Sequence, residues 1–150
     1  MIDVIVFKPG HLDFIVPKDC FNTETDIKNR IELLYNNGAN FIHTFIVNSK
    51  PAAVVGGLML FPHLAEVWSL TSYVINESPK EFVSACQRLL TFYEKSLNIY
   101  RYQSIVKSNY DTGIRFVESL GFHLEALMQG YMPDFSDAYL YARLNNADSD

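Results

Sequence analysis

The sequence predicts an α+β fold in which a mostly antiparallel central sheet is flanked by helices, and two observations carry the prediction. Three β-rich runs, "NFIHTFIV", "PAAVVGGLMLF" and "AEVWSLTSYV", follow one another across polar connections too short for the crossover that a parallel pair needs. After them Phe82, Cys86, Leu89, Tyr93 and Leu97 recur at helical spacing, with Val83 and Leu90 widening the stripe. A helix apolar on one side packs that side on a sheet.

The elements follow in order. "IDVIVF" opens as an apolar strand that Pro9-Gly10 break, and "HLDFIV" before Pro17 suits one or two helical turns. "TETDIKNRIELLYNNG" reads as a helix: Thr23 or Thr25 caps it, Ile27, Ile31 and Leu34 line one side, and Gly38 closes it. The three strands come next, the first two joined by "NSKP" as a hairpin. Gly56-Gly57 is the odd feature, because glycine weakens a strand unless a bulge or a close backbone approach requires it; a bulge is expected. "SPKE" supplies a capping box for the long helix, with Ser78 bonding an orphan amide, Pro79 at the first helical position and Glu81 reaching back. "YQSIVK" is then a strand, and Ile114, Val117 and Leu120 line a short helix that Gly121 ends. "FHLEALMQGY" and "AYLYARL" close the sheet, and "NNADSD" reads as a frayed tail.

At 150 residues the chain suits one domain, and 49% hydrophobic with 19% charged residues suffices for a core. A net charge of -5 without any basic run argues against a general nucleic-acid binder, since phosphate neutralisation needs clustered Lys and Arg. The longest apolar stretch, "PAAVVGGLMLFP", falls short of the roughly 20 residues that span a bilayer, and no basic leader opens the sequence. A soluble intracellular protein is expected. Cys20 and Cys86 lie outside any CxxC and read as packing residues, so no metal is expected. No GxSxG elbow and no GxxxxGK[ST] loop occurs.

The element order, together with "SNYDTGIRFVESLGF", resembles the GNAT superfamily of acetyl-CoA-dependent N-acetyltransferases. In that superfamily an Asn-containing turn, a helix and a Leu-Gly-Phe exit flank the coenzyme, a pattern matched by Asn109, Leu120, Gly121 and Phe122. Within it, "KPAAVVGG", "VWSLTS", "SPKEF" and "GIRFVESLGF", in this order, look like the GNAT-like internal virion proteins of short-tailed bacteriophages, over roughly residues 40 to 131. The resemblance implies a GNAT-like fold and a role in virion assembly or genome delivery. It also implies other phage virion proteins as partners, and a place in the host cytoplasm during infection or in the virion.

Acetyl transfer needs backbone amides for the pyrophosphate, a base for the amine and an acid for the leaving thiolate. GNAT enzymes hold the pyrophosphate on a glycine-rich turn before the long helix, where this chain has "VINESPKEFV". That segment lacks glycine, places Pro79 where an amide would serve, and sets Glu77 and Glu81 where a phosphate would approach; Lys80 alone compensates. The resemblance puts Val117 at the usual general-acid tyrosine and leaves Tyr110 as its substitute. Glu66 stands where these enzymes often place a base, with His63 just before it, whereas Trp68 reads as a sheet-packing residue. An active enzyme would therefore use Glu66 and Tyr110 for catalysis and Lys80 and Asn109 for acetyl-CoA. The leading expectation is a catalytically degenerate GNAT-fold protein with an assembly role and no cofactor. The alternative is an active acetyl-CoA-dependent N-acetyltransferase acting on a small-molecule or protein amine.

Overall fold

The computed structural model describes residues 1–16 and 24–145. Among them, β1 (Ile2–Val6), β2 (Phe41–Val47), β3 (Lys50–Phe61), β4 (Leu64–Thr71), β5 (Arg101–Lys107), β6 (His123–Met128) and β7 (Ala138–Leu144) form one sheet in the order β1-β2-β3-β4-β5-β7-β6. The helices are α1 (Glu24–Asn36), α2 (Pro79–Ser96) and α3 (Asp111–Ser119), with 3₁₀ segments at Pro9–Phe14 and Tyr73–Glu77. Every element expected from the sequence is present. Cys20, Thr23, the side chains of Thr25 and Ile27, and the tail beyond Asn145 lie outside the described residues.

The ladders β1–β2, β2–β3, β5–β7 and β6–β7 are antiparallel. The two residues Pro62 and His63 turn β3 into β4, with His63 at φ 73. β5 instead pairs with β4 in parallel, which requires a long crossover, and α2 supplies it.

The chain divides into two compact units, Met1–Leu58 with Trp68–Ala85, and Met59–Val67 with the described residues from Cys86 onward. In the first, Phe7, Leu12 and Ile15 from the 3₁₀ segment and its flanks bury against Ile31 of α1 and Ile42, Val54 and Leu70 of the strands. Phe82, at the start of α2, meets Phe45 edge to face at 5.1 Å. The expected bulge lies at Ala52 and not at the glycines: Phe45 pairs with Ala53 while Ile46 pairs with Pro51. Released from that ladder, the Ala52 carbonyl accepts both the backbone N–H (3.0 Å) and the hydroxyl (2.8 Å) of Ser72. Gly56 and Gly57 are needed for the other reason, close approach. A Cβ on Gly56 would stand 2.3 Å from the Trp68 ring, and one on Gly57 would stand 2.3 Å from the Phe41 ring.

In the second unit β5 alternates strictly, burying Tyr102, Ser104 and Val106. The Tyr102 hydroxyl donates to the Leu90 carbonyl of α2 at 2.7 Å. Arg143 of β7 donates to Gln87 (2.8 Å), to the Leu120 carbonyl (3.1 Å) and to Glu94 (3.2 Å), so the one carboxylate inside the α2 stripe is paired. α3 buries Val117 and ends as expected: Leu120 and Phe122 are buried on either side of Gly121, which takes φ +88.

Candidate functional site

The parallel β4–β5 ladder has three rungs, Leu64↔Arg101, Ala65↔Tyr102 and Glu66↔Gln103, although β5 continues to Lys107. The last rung carries chemistry. Gln103 Nε2 donates to Glu66 Oε1 at 3.1 Å, and Gln103 Oε1 accepts from Arg101 at 3.4 Å. Arg101 in turn grips Glu125 of β6 with both terminal nitrogens, each bond 2.7 Å long. Those bonds hold the Glu125 carboxyl below the usual carboxylate range and raise the guanidinium. The result is an oriented chain, Glu125–Arg101–Gln103–Glu66, that fixes the half-buried Glu66 carboxylate and leaves its Oε2 without a partner among the described residues. Such a group can accept a proton or bind an ammonium.

The period-2 pattern of "RYQSIVK" places Arg101 and Gln103 on one face, so their alignment was readable in the sequence once β5 was a strand. The partnership with Glu66 and Glu125 was not, because it depends on which strands become neighbours.

The other candidates lie elsewhere. Tyr110 is the residue before α3: its amide donates to the Lys107 carbonyl (3.0 Å), its carbonyl accepts from Ile114 (3.1 Å), and its ring covers Gly113, where a Cβ would come within 2.6 Å. Asn109 precedes it, exposed. From Gln103 to the end of β5 the strand rises about 13 Å, at about 3.3 Å per residue, so Glu66 and the Asn109–Tyr110 turn do not share one centre. Val117, at the usual tyrosine position, is a buried packing residue. His63 is exposed at the hairpin, where its carbonyl accepts from the amides of Tyr100 and Arg101. Lys80 is exposed in the first turn of α2. No group of three or more His, Cys, Asp or Glu side chains among the described residues could hold a metal.

The segment before α2 is a 3₁₀ turn whose amides are partly committed. The Ile75 amide donates to Ser72 (3.2 Å), the Ser78 amide to Ile75 (3.0 Å), and Pro79 has none. Ile75 is buried and anchors the turn, while Glu77, Lys80 and Glu81 are exposed. The Ser78 carbonyl accepts from Phe82, which places Ser78 at the cap of α2.

No family model and no curated protein matches the sequence. Solved structures do resemble it. A GNAT-family acetyltransferase from Bacillus anthracis superposes with a TM-score of 0.74 at 17% identity over 95% of this chain and 94% of that one. A ribosomal-protein-S5-alanine acetyltransferase from Vibrio fischeri gives 0.72 at 16% identity, over 97% and 94%. A spermidine N-acetyltransferase variant from Vibrio cholerae gives 0.72 at 12%, over 99% and 96%. The chain has the GNAT acetyltransferase fold.

Proposed function

We propose that this GNAT-fold chain has given up efficient coenzyme binding and works by binding other proteins, in phage virion assembly or genome delivery. The observation that carries the reading is the turn before α2. A pyrophosphate there needs several bare amides at a helix N-terminus. Here two amides close the 3₁₀ turn, the first helical residue is proline, and two exposed carboxylates flank a single lysine. With only the amides of Lys80 and Glu81 left in the first turn of α2, and two carboxylates beside them, the turn is poorly suited to the pyrophosphate of acetyl-CoA. The phage setting is supported by the resemblance of residues 40 to 131, with virion proteins as the partners and the infected cell or the virion as the place.

One observation favours a second reading, an acetyl-CoA-dependent N-acetyltransferase acting on an amine. Glu66 is held in one orientation by Gln103 at the end of the β4–β5 ladder, as a base would be, and the solved structures that resemble the chain are named as acetyltransferases. Thermal melts with acetyl-CoA separate the two: the first reading expects no shift, the second a clear one.

A further inference from the structure

We infer that the 3₁₀ segment Pro9–Phe14 is an acid-released latch, held on β2 by His11 through Thr44 and freed when the His11 ring gains a second proton. His11 Nδ1 meets two groups at once: the backbone N–H of Lys8, the residue that opens the segment, at 3.1 Å, and the hydroxyl of Thr44 at 2.7 Å. The Lys8 amide can only donate, so Nδ1 carries no proton in the closed state and the neutral ring keeps its proton on Nε2. Thr44 is fully buried, and His11 is its side-chain partner among the described residues, so the hydroxyl donates to Nδ1 as well.

Protonation turns this acceptor into a donor. The imidazolium can reverse one contact, giving its new proton to the Thr44 oxygen, but it cannot accept from the Lys8 amide, and the Thr44 hydroxyl proton is left buried without an acceptor. A second positive charge also appears beside the Lys8 ammonium. Burial and that ammonium already hold the ring below the ordinary imidazole range. The other charged or titratable groups around the segment are few. Asp13 belongs to it, and Asp3 of β1 shares the Thr44 face but pairs with Ile46, two residues along from the Ile5↔Thr44 rung. α1 presents Lys28 and Tyr35 at helical spacing from the buried Ile31, while His43, next to Thr44, points to the opposite face of the sheet by alternation. What the latch holds is apolar: Leu12 and Ile15 are buried with Ile31, Ile42 and Val54. Opening the segment bares them.

Nitrogen NMR of the full chain reads the ring directly, with the His11 signals assigned by their loss in His11→Gln. At neutral pH they should show Nδ1 bare and Nε2 protonated, and they should titrate below the ordinary imidazole value of about 6.5. The Ile15 amide, bonded to the Leu12 carbonyl at 3.3 Å, reports the segment itself. Its protection from hydrogen exchange, corrected for intrinsic rates, should fall about tenfold per pH unit between that ordinary value and the His11 midpoint, then level off. His11→Gln, whose side-chain carbonyl still accepts from the Lys8 amide and never titrates, should abolish that dependence. Thr44→Val removes a donor that favours the neutral ring and should raise the His11 midpoint, and Thr44→Ser should restore it. A proton on Nδ1 at neutral pH, a midpoint at or above the ordinary value, Ile15 protection that ignores it, or the same pH dependence in His11→Gln would each overturn the inference. So would a midpoint unmoved in a folded Thr44→Val.

Discussion

The indole of Trp68 fills the space above Gly56, leaving 2.3 Å between the ring and any Cβ placed there. Gly56→Ala should therefore destabilise the fold by about 1–3 kcal/mol, the usual cost of overpacking a filled core. The Trp68 indole N–H is also buried without an acceptor among the described residues, so Trp68→Phe sacrifices no hydrogen bond seen there. Combined with Gly56→Ala, Trp68→Phe should recover part of the loss in a denaturant double-mutant cycle; strict additivity would contradict the contact.

Gly121 tests a different cause. Beyond its chain neighbours, no atom of the described residues lies within 4 Å of its ideal Cβ, and its φ of +88 is what resists a side chain. Gly121→Ala should cost about 1 kcal/mol and Gly121→Asn less, since asparagine tolerates the left-handed region. Denaturant melts that rank Asn with or below Ala would remove backbone conformation as the reason.

The Arg143–Glu94 pair links stability to pH. Burial raises the Glu94 pKa, and the charge and hydrogen bond of Arg143 only partly oppose this. A carboxyl raised on folding stabilises fully below its unfolded pKa and loses that contribution as pH rises through the folded value. Wild type should therefore lose stability relative to Glu94→Gln between acid and neutral pH, measured by paired denaturant melts. Arg143→Met should cost about 3 kcal/mol at neutral pH by stranding the buried carboxylate, and less in acid, where Glu94 is neutral.

The sequence disclosed the element order well, because local signals determine it. Short β-prone runs marked β5 and β7, proline at 79 opened α2, and Gly121 closed α3. It disclosed the glycines as exceptional but gave the wrong reason, since whether a strand bulges or admits a ring depends on which ring faces it. Ala52, the actual bulge, looks ordinary in sequence; the register between β2 and β3 creates it. Glu66 was visible as a carboxylate at a plausible place, whereas Gln103, Arg101 and Glu125 became its supports only through the β4–β5–β7–β6 neighbourhood. Tyr110 drew attention by its type, and its ring turns out to cover Gly113 at the start of α3.

A thermal melt of the full chain with millimolar acetyl-CoA tests directly whether the turn before α2 can hold the coenzyme. A ligand present at about a hundred times its dissociation constant stabilises the folded state by about 2.7 kcal/mol, which a melt resolves. With the Ile75 and Ser78 amides committed to the 3₁₀ turn and proline opening α2, the expected result is no shift. A clear upward shift, with calorimetric binding in the micromolar range, would contradict the account and establish the acetyltransferase reading, with Glu66→Gln and Gln103→Ala as the next variants to assay.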